Sequence, residues 1–124
     1  MSDWSNYPNF KESEFACKHT GRCNMHPEFM ERLQKLRTLY DKPMRISSGY
    51  RDPTHPIEAR KAQPGFHTTG RAADIAIRGA DALKLLTIAL QVGFTGVGVQ
   101  QKGGSRFLHL DDIKSSLRPN IWSY

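Results

Sequence analysis

Apolar residues in this chain recur with two different periods, and the switches between them mark its elements. From Pro27 a helical period runs to Tyr40: Phe29, Leu33, Leu36 and Tyr40 form one stripe, with Glu28 and Glu31 in the first turn. Asp41-Lys42-Pro43 ends it. A second helical pattern covers residues 80–92, with Leu83, Leu86 and Leu90 as its apolar face. Gly93 follows where a left-handed C-terminal cap is expected. Period-two alternation predicts strands at 44–47, 73–77, around Val97 and Val99, and at 107–111. The last two are joined by the turn-rich Lys102-Gly103-Gly104-Ser105.

Three stretches carry no sustained period. Residues 1–26 are polar and aromatic, with Trp4, Tyr7, Phe10 and Phe15 irregularly spaced, and read as an arm that wraps the core. Residues 49–71 hold three Pro and three Gly, a long loop of the kind a compact domain keeps when it builds a site. The aromatic end, Arg118 to Tyr124, is expected to pack on its own domain beside the Trp4–Phe10 arm, with a place in a substrate groove as the alternative. Strands and helices are segregated along the chain, with a hairpin late in it. This predicts an α+β fold: one domain over residues 1–124, with a small, mainly antiparallel sheet and flanking helices.

Composition narrows the picture. The chain is 124 residues long and 38% hydrophobic, but its six Phe, four Tyr and two Trp argue against disorder. No apolar run approaches the roughly 20 residues that span a bilayer, so membrane insertion is excluded. The first residues lack a basic segment followed by an apolar one, so the expectation is synthesis in the cytoplasm without a secretory signal. The net charge of +6 favours polyanionic surroundings. Its Lys and Arg are scattered, however, with neither a basic recognition helix nor an aromatic RNA-binding strand, which excludes nucleic acid as the partner.

The chemistry gathers on three residues. His67 lies in a Gly-rich loop running into the strand that carries Asp74, and an acid flanked by Ala and Ile in a strand is costly without a cationic partner. His109 lies in the last predicted strand, where alternation puts Phe107, His109 and Asp111 on one face and Leu108 and Leu110 on the other. Two imidazoles and one carboxylate suffice to hold Zn²⁺ with a fourth position open to water. Spacing alone leaves open a plainer reading, with His67 a surface loop residue and Asp74 paired with Arg71 or Arg78.

Three blocks in order, Ser48-Gly49-Tyr50-Arg51, His67-x2-Gly70-x-Ala72-x-Asp74 and Phe107-x-His109-x-Asp111, resemble the M15 zinc peptidases. That family includes D-Ala-D-Ala carboxypeptidases and phage endolysins, and shares its core with the hedgehog signalling domain. The arm at Ser13-Glu14-Phe15 and the helix at 27–40 extend the likeness over nearly the whole chain. The resemblance implies a hedgehog/DD-peptidase-like fold, one zinc per chain held by His67, Asp74 and His109, and Arg51 as the group that binds the substrate's carboxylate. A guanidinium suits that task because its planar fork pairs bidentately with a carboxylate. The competing role for Arg51 is an ion pair with Asp52 or Glu58. Two departures stand out. Gly65 occupies a position where the family usually has Ser, and Arg106 one where many members carry an acidic general base. Asp111 is then the candidate base, or else an acceptor that orients a ligand histidine.

The implied activity is zinc-dependent hydrolysis of peptidoglycan stem peptides by a monomer acting on the cell wall, released by a phage or carried on a virion. The alternative is a zinc-containing module that binds wall or virion partners without hydrolysis. Cys17 and Cys23, in Cys17-x-His19-x3-Cys23-x2-His26, admit a disulfide, two free thiols, or a second metal site. His55 reads as a loop residue.

Overall fold

The computed structural model describes residues 3–59 and 65–124. Five strands form one sheet in the order β1-β2-β4-β3-β5. They are β1 (Arg45–Ser48), β2 (Ala72–Ala76), β3 (Gly96–Gln100), β4 (Phe107–Asp111) and β5 (Asn120–Ser123). The first four pair antiparallel to their neighbours, and β5 joins β3 in parallel. Two long helices, α2 (Pro27–Tyr40) and α4 (Gly79–Gln91), and two one-turn helices, α1 (Glu12–Phe15) and α3 (Pro56–Ala59), complete an α+β architecture.

Local signals explain the long helices. In α2, Pro27 opens the first turn and the His26 ring accepts from the Glu28 N–H at 3.1 Å. Asp41 stops it in the left-handed region at φ 57°. The anticipated stripe is buried, joined by Met30. In α4 the anticipated stripe is the wrong one. Leu83 and Leu90 are 67% and 59% exposed, whereas Ala82, Leu85 and Ala89 are buried. The helix is apolar almost all round, so periodicity cannot choose a face. The small Ala82 and Ala89 take the inner side beside Leu85. Gly93 (φ 97°) ends α4 as expected: its N–H reaches Leu90 O and that of Phe94 reaches Ala89 O, the paired bonds of a Schellman cap.

The sheet sorts its residues by face. Ala73, Ile75, Val97, Leu108 and Leu110 join the hydrophobic core with α2, α4 and the arm. The arm supplies Tyr7, Phe10 and Phe15, all buried, with Phe10 edge-on to Phe15. It docks where Phe15 O accepts from the Tyr50 N–H. A side chain on Gly49 would come within 2.6 Å of the Phe15 backbone, so the Gly of Ser48-Gly49-Tyr50-Arg51 is a packing requirement.

The C-terminal segment departs from expectation. It forms β5, at the sheet edge opposite β1, while the arm's α1 packs against β1. The two aromatic ends therefore lie on opposite sides of the sheet. A four-residue strand beginning just after Pro119 carries too short an alternation to register, and its partner is distant in sequence. Of the loop read at 49–71, the described parts contain α3 and a 3-10 turn at Phe66–Thr69, while residues 60–64 lie outside the described residues.

Candidate active site

The sheet's other face carries the chemistry. Register places Ser48, Asp74, His109, Gly98 and Trp122 side by side across all five strands. The third imidazole-or-carboxylate donor comes from outside the sheet: the 3-10 turn ending at Gly70 (φ 74°) lifts His67 over β2. Only glycine fits at position 70, since a Cβ there would sit 2.1 Å from Asn24 O. The same residue's carbonyl accepts from His26 N–H, tying this turn to the start of α2.

His67, Asp74 and His109 meet as anticipated, one donor atom from each lying within 4.8 Å of the others. Asp74 Oδ1 is 3.3 Å from His67 Nε2 and 3.0 Å from His109 Nδ1. The far nitrogen of each ring is already committed. His67 Nδ1 lies 2.9 Å from Gly49 O, and a carbonyl can only accept, so that nitrogen donates and leaves the Nε2 lone pair facing Asp74. His109 stands between two carboxylates, with Nε2 2.8 Å from Asp111 Oδ2 and Nδ1 3.0 Å from Asp74 Oδ1; with no metal bound both nitrogens donate, and a metal at Nδ1 would take the place of that proton. His67 Nε2, the Asp74 carboxylate and, once it gives up its proton, His109 Nδ1 converge on one point, an arrangement that could hold a cation. Two imidazole nitrogens and a carboxylate oxygen match the donor preferences of zinc, and each histidine has the outer acceptor that metal-ligating imidazoles use.

Burial would raise the Asp74 carboxyl, but the contacts and charges of His109 and His67 hold it well below the usual carboxylate range. Burial would lower His109; hydrogen bonds to Asp111 and Asp74 raise it instead. Neither Arg71 nor Arg78 neutralises Asp74. Arg71 pairs with Asp112 and Glu28, and Arg78 reaches the Gly103 carbonyl.

Asp111 is buried behind the His109 ring, with both oxygens engaged. Arg118 Nη2 donates to Oδ2 at 2.8 Å and Arg118 Nε to Oδ1 at 2.9 Å, a bidentate pair. Burial pushes this carboxyl up, yet His109 and Arg118 bring it down to about 2. Arg118 in turn is sandwiched between aromatic rings, its guanidinium carbon 4.5 Å from the Phe66 centroid and 4.9 Å from that of Trp122. Trp122 lies 5.2 Å from the His109 ring. Trp122 stands beside the cluster, in line with the groove alternative for the aromatic end; the Arg118–Asp111 pair was not anticipated. The overlooked signal is Gly96-Val97-Gly98-Val99. Valines point to the core, while a Cβ at Gly96 or Gly98 would collide with Asp111 and Arg118, or with Trp122 and Tyr124.

Arg51 stands at the opposite, polar flank. Its backbone N–H donates to His67 O at 3.1 Å, Nη1 pairs with Glu58 Oε2 at 2.8 Å, and Nη2 lies 3.4 Å from Ser48 Oγ. Of the two anticipated roles, the structure shows the ion pair with Glu58; the guanidinium also borders Ser48, the cross-strand neighbour of Asp74. Glu58 Oε1 accepts from Gly65 N–H at 2.7 Å, which joins α3 to the turn carrying His67. Arg106 lies away from the cluster, its Nε donating to Gly103 O.

The Cys/His group does not assemble. Cys17 and Cys23 are both free thiols. His26 caps α2 and faces Arg71, and His19 packs edge-on against His55. Among the described residues, the His/Cys/Asp/Glu group placed to hold a metal is His67, Asp74 and His109.

Fold and donor set together define a small α+β protein with a His/Asp/His cluster on one face of its sheet that could hold a metal ion. The Peptidase M15 family profile matches residues 8–111, and the chain belongs to that family. Membership places it among peptidases, and M15 peptidases are generally zinc-dependent. No curated protein matches the chain. No helix among the described residues is long and apolar enough to cross a membrane.

Proposed function

We propose that this protein is a zinc peptidase that hydrolyses amide bonds in the stem peptides of peptidoglycan. The observation that carries the reading is the convergence of His67 Nε2, His109 Nδ1 and Asp74 Oδ1, their outer partners already assigned, in a chain of the Peptidase M15 family. These three residues would hold one zinc ion, which when bound polarises a scissile carbonyl and lowers the pKa of water.

The protein's own groups supply the rest. Arg51 presents a guanidinium beside Ser48, where it anchors a substrate carboxylate and sets the amide over the cluster. Glu58 and Ser48 hold that guanidinium in place. Asp111 is a positioning residue: it fixes the His109 tautomer and ring, and Arg118 keeps it ionised. Its oxygens lie on the far side of the imidazole, so the role of proton acceptor for a water at the cluster falls elsewhere. Trp122 walls the site on the β5 side and shields it from solvent. Wall peptides carry free carboxylates on D-Ala, D-Glu or diaminopimelate, which suits Arg51, and the net charge of +6 favours an anionic matrix. The protein acts as a monomer, made in the cytoplasm and reaching the wall as a lysis enzyme or virion component.

One observation favours a second reading, a metal-holding module that binds wall or virion partners without hydrolysis. Asp111, the candidate base, has both oxygens engaged by His109 and Arg118. Digestion of purified sacculi with mass analysis of the products separates the two. The peptidase reading expects new muropeptides differing by a cleaved amide; unchanged sacculi with retained protein would favour the binding module.

A further inference from the structure

Three arginines without an acidic partner line one pocket. Arg45 on β1, Arg78 just after β2 and Arg106 just before β4 surround a cavity of about 250 Å³ with Ala76, Ile77 and Gly104. Arg22, Arg32, Arg51, Arg71 and Arg118 each pair with a carboxylate. Among the described residues no carboxylate pairs with the three in the pocket, and residues 1–2 and 60–64 contain no Asp or Glu. Two of them are fixed on one acceptor: Gly103 O receives Arg106 Nε at 3.0 Å and Arg78 Nη2 at 3.4 Å. Gathering like charges without a counterion is unfavourable and is relieved by an anion.

Its place in the sheet says which anion. Arg45 is in register with Ala76, and Ala76 with Phe107. Both strand residues lie two positions along from Asp74 and His109 and on the same face, about 7 Å away. An extended peptide whose amide lies over the cluster spans that distance in two residues. We propose that Arg45, Arg78 and Arg106 form a subsite for a second carboxylate of an acidic peptide substrate, the first being held by Arg51. This inference rests on the peptidase reading above.

The test measures binding, so it does not depend on turnover. The probe is the tripeptide L-Ala-γ-D-Glu-diaminopimelate, compared with the same peptide amidated at its diaminopimelate carboxylates. Titration into the intact protein, followed by the arginine Nε–H nuclear magnetic resonance signals, is expected to shift Arg78 and Arg106. Arg45→Gln with Arg78→Gln and Arg106→Gln should weaken binding at least tenfold, and amidation should cost the wild type the same factor and the triple variant nothing. Removing equal charge elsewhere, by Lys35→Gln with Arg37→Gln and Lys84→Gln, should change affinity less than twofold. Equal binding of the free and amidated peptides, or equal loss in the control variant, would overturn the subsite. So would shifts produced by inorganic phosphate and not by the peptide. If wild-type protein leaves sacculi intact while this arginine-dependent binding persists, the peptidase reading fails and the subsite stands. If digestion proceeds and is indifferent to all three arginines, the subsite fails and the peptidase reading stands.

Discussion

The two faces of this sheet are built from the same strands and follow opposite rules. On one, Ala73, Ile75, Val97, Leu108 and Leu110 are closed over by helices and held by contact alone. On the other, Asp74, His109 and Asp111 are held by a chain of specific bonds running from Gly49 through His67 and Asp74 to His109, Asp111 and Arg118. β4 shows the contrast within five residues: Leu108 and Leu110 face inward, His109 and Asp111 outward. Apolar packing tolerates exchange among residues of similar volume. A polar chain does not, because each broken link leaves a buried group unsatisfied.

That contrast yields graded expectations. Leu110→Ala should have the largest effect on folding, about 2–5 kcal/mol by chemical denaturation, since the side chain is fully buried. Metal affinity in the surviving folded fraction should be unchanged, which separates one face from the other. Asp111→Asn should do the reverse. It should weaken metal affinity roughly 10–100-fold, because the acceptor that orients His109 is lost. A competition titration with a chromophoric chelator reads this. Normal affinity with a collapse in turnover would instead restore Asp111 as a base.

Arg51→Lys should retain fold and metal but lower kcat/KM by roughly tenfold, since an ammonium cannot reproduce the bidentate fork. Steady-state kinetics on muropeptides checks it, and wild-type values would leave Arg51 only its pairing with Glu58. The smallest effect belongs to Leu83→Gln. That side chain is 67% exposed, so thermal denaturation should show a change within about 0.5 kcal/mol. A larger loss would mean that the leucine face of α4 is covered in solution.

Legibility in the sequence follows the same division. α2, β2 and β4 announce themselves because one face of each is buried and the other is polar, so period and direction agree. α4 misleads because its apolar residues surround the axis, and only the alanines mark the side that packs. β5 is silent in the sequence because a parallel edge strand of four residues draws its definition from β3, not from its own alternation. The three donor residues were readable from motif and spacing together. For the aromatic end only a general groove role was readable as an alternative; the contacts of Arg118 and Trp122 arise when β5 folds back across the two glycines of β3 to cover Asp111. Arg51's pairing with Glu58 was anticipated as the alternative to a substrate-binding role, and the structure shows that pair formed.

Whether His67, Asp74 and His109 act together as one metal site is decided by elemental analysis of the purified wild type beside His67→Ala and His109→Ala. About one zinc per wild-type chain is expected, as for a site with three protein ligands, and none in either variant while each remains folded. Full zinc occupancy in both variants, or a folded wild type that cannot be loaded with zinc, would contradict that expectation.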